Sequence, residues 1–215
     1  MYVLKSSTCS RHHKLAVSAL MQIFHSIGMN KTAPFLKEFI PVLFPLIRSC
    51  EPVYRESLFQ NLSTLVHTVK QHIRPFLPQL FDLVVTYWDA SIVNQLVALV
   101  EEISIILPDD FKSFLPRLLP RLLGMLEAEP VFNGPRILAG FQTFGSALDH
   151  YADLVLEAII HMFESELVPV RTRLTAVQTL GSLLLVHNFS AHASRIIHAL
   201  LAVIEGGMRV SRGGS

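Results

Sequence analysis

At 215 residues the chain is long enough to bury a sizeable core, and 51% of it is hydrophobic while only 16% is charged, against roughly 25% charged in an ordinary soluble domain. The balance of 18 Lys and Arg against 17 Asp and Glu excludes a global attraction to nucleic acid or anionic lipid, and two cysteines, Cys9 and Cys50, exclude a disulfide framework. The most apolar runs, Phe39 to Ile47 and Leu154 to Ile160, stop at Arg48 and near His161 and Glu164, short of the about 20 residues a spanning helix needs.

In chain order, residues 1–10 predict a disordered segment with no apolar run of the kind a secretory signal carries. Leu20, Ile23, Phe24 and Ile27 then mark one helical stripe, and Leu36, Phe39, Ile40 and Leu43 a second. Leu58, Leu62, Leu65 and Val69 follow, and after them Leu77, Leu80, Phe81 and Val84. Segment 91–107 supplies the next helix, ahead of Leu115, Leu118, Leu119 and Leu122. Segment 135–148 precedes Leu156, Ile159, Ile160 and Phe163, and Val177, Leu180 and Leu184 precede Ile197, Leu200, Leu201 and Ile204.

The second stripe of each pair has the spacing 0, 3, 4 and 7, which is one face of a 3.6-period helix. Its anchors Leu36, Leu77, Leu115, Leu156 and Ile197 are separated by 41, 38, 41 and 41 positions. That period matches HEAT and armadillo units of about 40 to 47 residues, each a helix hairpin that buries its flanks against its neighbours. The expected fold is therefore all-α, an α-solenoid of about five HEAT-type hairpins in an armadillo-like superhelix. One continuous domain is expected from 11 to 205, since no hydrophilic linker interrupts the series.

Turn residues fall between these helices. Asp89 with Ser91, Asp109 with Asp110, and Asn188 or Ser190 are candidate caps, and EPVFNGP at 129–135 is the clearest break. Pro78 and Pro116 lie one residue past their anchors, where a first turn tolerates the missing donor. Pro41, Pro45 and Pro120 lie deeper and predict bends. The glycine-rich stretch 206–215 predicts a disordered tail.

Three segments carry a resemblance: ESLFQNLSTLVHTVKQHIRPFLPQLFDLVVTYW at 56–88, DDFKSFLPRLLPRLLGML at 109–126 and HASRIIHALLAVIE at 192–205. With them the chain resembles the HEAT-repeat region of the target-of-rapamycin serine/threonine kinases, collinear from about Lys14 to Glu205. Strings such as VKQHIRPF and SRIIHALL include choices that periodicity does not require. The resemblance implies a scaffold for protein partners in target-of-rapamycin signalling, with the kinase domain absent from these residues; the alternatives are a serine/threonine kinase in family name only, and a HEAT transport adaptor that binds peptides in its concave groove. It implies no cofactor.

Chemistry-bearing constellations are sparse. Asp89 and Asn94 have the D-x-x-x-x-N spacing of a kinase catalytic loop, but no HRD or DFG accompanies them, so Asp89 reads as a cap and no catalytic residue is assigned. Cys9 with His12 and His13, or His187 with His192, each lack the second half of a zinc site, and no metal ligand is assigned. Pro169-Val170-Arg171 opens a first helix in which Arg171 is expected to contact the neighbouring repeat.

The candidate partner surface is Lys112, Arg117 and Arg121, the last two on one helix face opposite the leucine stripe. Expected partners are proteins, not nucleic acid, with no direct membrane insertion. The isolated chain is expected to self-associate through apolar end repeats. A cytoplasmic location is expected, with endomembranes reached only through partners.

Overall fold

The computed structural model describes residues 10–165 and 167–212. Eleven α-helices occupy the described residues: α1 Ser10–Ile27, α2 Met29–Thr32, α3 Leu36–Ser49, α4 Pro52–Val69, α5 Leu77–Thr86, α6 Val93–Ile106, α7 Pro108–Ala128, α8 Gly134–Phe144, α9 Ala152–Glu164, α10 Val170–Leu184 and α11 Ala193–Arg212. Ten of them are the predicted pairs; the four-residue α2 is an extra turn before α3. No strand occurs among the described residues. The fold class is the expected all-α solenoid of helix hairpins.

The chain forms two compact units, one ending at Phe114 and the other beginning at Leu115. Composition gave no sign of this boundary, because it falls inside the uninterrupted helix α7 and not in a linker.

In the first unit, first helices pack on first helices, α1 on α4 and α4 on α6, while α3 packs on α5. A helix flanked on two sides must be apolar on more than one stripe. Accordingly α4 buries Phe59 and Val66 besides the predicted Leu58, Leu62, Leu65 and Val69. The second unit repeats the scheme, with α8 on α10 and α9 on α11. Each such side chain, fully buried, contributes on the order of 1.5–3 kcal/mol.

The predicted stripe is buried in four of its five copies, Leu36, Leu77, Leu115 and Leu156 all being 4% exposed or less. The fifth copy is displaced. Ile197 is 56% exposed, with Leu201 and Ile204 also exposed, and α11 instead buries Ile196 and Ala199 with Leu200 and Val203 half-buried. The correction has a simple cause: the sequence is apolar at both 196–197 and 200–201, and packing against α9 selects the face one residue earlier.

Three of the first helices, α1, α4 and α8, end in a turn with positive φ, at Gly28, Lys70 and Gly145. After Lys70 and after Gly145 the chain runs as 3-10 helix for seven residues, Lys70–Phe76 and Gly145–Tyr151, before the second helix starts. Pro78 lies in the first turn of α5 as expected. Pro116 does not, because α7 begins at Pro108 and places it inside the helix beside Pro120. Pro41, Pro45, Pro116 and Pro120 all face solvent, where a missing donor leaves no buried carbonyl unpaired.

Gly134 opens α8 where a Cβ would stand 3.1 Å from Thr172 Cγ2, so the starts of α8 and α10 meet only because no side chain intervenes. Helix α11 continues past Gly206 to Arg212, beyond the point where the sequence predicts a tail. Residues 1–9 and 213–215 of the predicted disordered ends lie outside the described residues.

Candidate interaction surface

Successive hairpins are tied by polar side chains that each reach one repeat along the chain. In the first unit Asn61 donates to Ser18 Oγ at 3.2 Å, Gln95 to Glu56 at 2.8 Å and Arg74 to Asp110 at 3.1 Å. Arg48 meets Asp82 at 3.3 Å and His67 meets Glu102 at 3.1 Å. In the second unit Gln142 donates to Thr179 Oγ1 at 2.9 Å, and Thr179 donates to the Leu138 carbonyl at 3.2 Å. These contacts set the register between hairpins; they are structural, and most are too exposed to add much stability.

Of the sequence-predicted residues, Lys112, Arg117 and Arg121 all lie on α7. Lys112 and Arg117 are exposed and Arg121 is half-buried, while Leu115, Leu118, Leu119 and Leu122 are buried on the other side. Five residues at 3.6 per turn rotate Lys112 roughly 140° from Arg117, so helix geometry joins the two arginines but not the lysine. Arg171 is exposed at the start of α10, and it is Arg173 whose Nε donates 2.8 Å to the Val168 carbonyl, tying the helix to its own entry loop. An outward-facing N-terminal arginine gave way to one a half-turn later.

Asp89 is the cap the sequence suggests: it accepts from the Ser91 backbone N–H at 2.9 Å and from Ser91 Oγ. These hydrogen bonds hold its carboxyl below the usual range. Beside it the Arg55 guanidinium lies 4.3 Å over the Tyr87 ring, and Arg55 Nε and Trp88 Nε1 are buried without partners. Burial pushes the half-buried Cys50 thiol above its ordinary value, with the Arg55 charge opposing. Cys9 lies outside the described residues, His12 is exposed, and His13 is 7% exposed with Nε2 unpartnered. Among the described residues no three His, Cys, Asp or Glu side chains are grouped to hold a metal ion. No described helix is long and apolar enough to cross a membrane.

What sequence reasoning missed is the apolar surface left in the open. Phe132, 83% exposed, and Leu167, 87% exposed, stand on the loops that lead into α8 and α10. In sequence each stands between a glutamate and a proline, Phe132 between Glu129 and Pro135 and Leu167 between Glu164 and Pro169, a pattern that marks the loop without saying which way its apolar residue turns. In the first unit Leu20, Ile23, Phe24, Ile27, Phe35 and Phe39 line an apolar groove of roughly 250 Å³ with Glu38 at its edge. Phe24 meets Phe39 edge to face at 5.4 Å on its floor. Such surface is apolar contact area without a reacting group, suited to holding another polypeptide.

Comparison with known proteins agrees. Residues 1–70 match the model of the serine/threonine-protein kinase mTOR domain. The chain is 33% identical to serine/threonine-protein kinase mTor of Drosophila melanogaster over 210 residues, which is 95% of this chain and 8% of the relative. It is 32% identical to serine/threonine-protein kinase tor1 of Schizosaccharomyces pombe over 94% of this chain and 9% of that protein. For serine/threonine-protein kinase TOR of Arabidopsis thaliana the figures are 31%, 96% and 9%. The chain thus spans less than a tenth of the length of these relatives, and what matches is helical repeat, not a kinase catalytic domain. Near-complete coverage of its own residues by one set of relatives makes the chain similar, over almost its whole length, to a short segment of the target-of-rapamycin kinases.

Proposed function

We propose that the chain is a protein-binding scaffold that positions partner subunits in a target-of-rapamycin-type assembly inside the cell. The observation that carries this reading is the match of 94–96% of the chain to three such kinases. Its exposed Phe132 and Leu167 supply apolar anchors, and Arg117 with Arg121 on α7 supplies a basic face for an acidic partner. The outward Ile197, Leu201 and Ile204 of α11 supply the contact through which isolated chains associate with one another.

The test is a transplant: the chain replaces the matched 210 residues of the Drosophila kinase, and assembly is followed by gel filtration with light scattering. Recovery of the parent's complex supports the scaffold reading. A well-folded chimera that stays free of partners overturns it. The purified chain is expected to bind no ATP, and magnesium-dependent nucleotide binding overturns the non-catalytic assignment.

A further inference from the structure

Arg55, on the first turn of α4, reaches across to the segment that follows α5. Its guanidinium lies 4.3 Å over the Tyr87 ring, and its Nη2 donates to the Cys50 carbonyl at 3.4 Å. Among the described residues no carboxylate forms an ion pair with it. A half-buried cation without an acid has lost part of its hydration and gained little in return.

The same imbalance appears at two individual atoms. Arg55 Nε and Trp88 Nε1 are both enclosed and hydrogen-bonded to nothing. Each is a donor and never an acceptor. Enclosed donors that have given up water without finding an oxygen are uncommon, and leaving them so costs more than a made hydrogen bond gains.

Both residues line one cavity of roughly 410 Å³ in the first unit, with Thr86, Tyr87, Asp89 and Ser91 around them. Asp89 is the one acid among these six, and its carboxylate already accepts from the Ser91 backbone N–H and hydroxyl. What the cavity lacks is an acceptor for Arg55 and Trp88. One positive charge at Arg55 suits a singly charged anion, whereas a doubly charged one meets the repulsion of Asp89. The Tyr87 and Trp88 rings offer apolar wall for whatever carries that anion.

We propose that this cavity is a carboxylate-binding site: Arg55 and Trp88 donate to the oxygens of a monocarboxylate whose apolar body lies along the aromatic wall. Both nitrogens lie within the wall, so the acid reaches them through a small turn of the half-buried Trp88 side chain. The inference rests on these residues alone and does not depend on the function proposed above.

Trp88 is the single tryptophan, so its indole N–H gives one signal in a proton–nitrogen NMR spectrum of the full chain. Sodium benzoate is the probe, at constant ionic strength. It is expected to move that signal downfield and to saturate at millimolar concentration, while benzyl alcohol leaves it nearly unmoved and phenyl phosphate binds more weakly than benzoate. Arg55→Met keeps the stem over Tyr87 and removes the donors and the charge; it is expected to weaken benzoate roughly tenfold. A signal that does not saturate with benzoate, an equal response to benzyl alcohol, or wild-type affinity in Arg55→Met overturns the proposal. Tighter binding of phenyl phosphate overturns the assignment to a monocarboxylate. Should Arg55→Met fail to fold, Trp88→Phe keeps a ring and loses the N–H, and saturation transfer to benzoate reads it: unchanged affinity there overturns the site.

Discussion

The two seven-residue linkers, KQHIRPF at 70–76 and GSALDHY at 145–151, make the same connection with almost no sequence in common. Each is 3-10 helix, each begins at a positive φ, and each buries an aliphatic residue fully at its fourth position, Ile73 in one and Leu148 in the other. The first residue is where they part. Gly145 adopts φ 44 and ψ −122 freely, whereas Lys70 is held at φ 49 and ψ −127, a region that an L side chain rarely enters. The hairpin therefore dictates the turn and the residue tolerates it. Packing of the following second helix outweighs a local strain of about 1–3 kcal/mol.

If the linkers are equivalent anchors, Ile73→Ala and Leu148→Ala each cost roughly 2–5 kcal/mol, the largest effects expected here. Trp88, the single tryptophan, lies in the first unit, so its fluorescence in urea follows Ile73→Ala while circular dichroism follows both. A loss confined to one of the two variants breaks the equivalence. Next in size, Gly145→Lys imports the strain and is expected to cost about 1–3 kcal/mol, although a Cβ at that position meets nothing within 4 Å. A neutral result there shows the turn is not strained for side chains at all.

The reverse change, Lys70→Gly, is expected to stabilise by about 1 kcal/mol, strain relief exceeding the added freedom of the unfolded chain. A destabilised variant means that the exposed Lys70 side chain contributes more than its backbone costs. Smallest of all, Arg74→Ala removes the exposed pair with Asp110 and is expected to cost about 0.2–1 kcal/mol, shrinking in high salt. A salt-independent loss above that range marks the pair as structural support for the linker.

These contrasts also measure how much the sequence discloses. Helix pairs and most of the core were legible because burial on one side forces a 3.6-residue period, as at Leu36, Phe39, Ile40 and Leu43. The face of α11 was not, since apolar residues at 196, 197, 200 and 201 satisfy two periods and only contact with α9 chooses between them. Lys70 gave no hint of its turn, because the usual signal for positive φ is glycine and the strain is imposed from outside the segment. The candidate surface was the least legible part. Arg117 and Arg121 follow from spacing alone, whereas the outward turn of Phe132 and Leu167 depends on loop geometry that no short-range pattern encodes.

The polar ties between hairpins span sequence separations of 34 to 43 residues, within each unit alike. Every tie therefore closes a loop of nearly the same length, and closure entropy grows only with the logarithm of that length. No single step of assembly carries a long-range entropic barrier that later contacts must repay. Folding of each unit can begin at any hairpin and spread to its neighbour in increments of similar height, giving rates set by one repeat and not by the length of the chain.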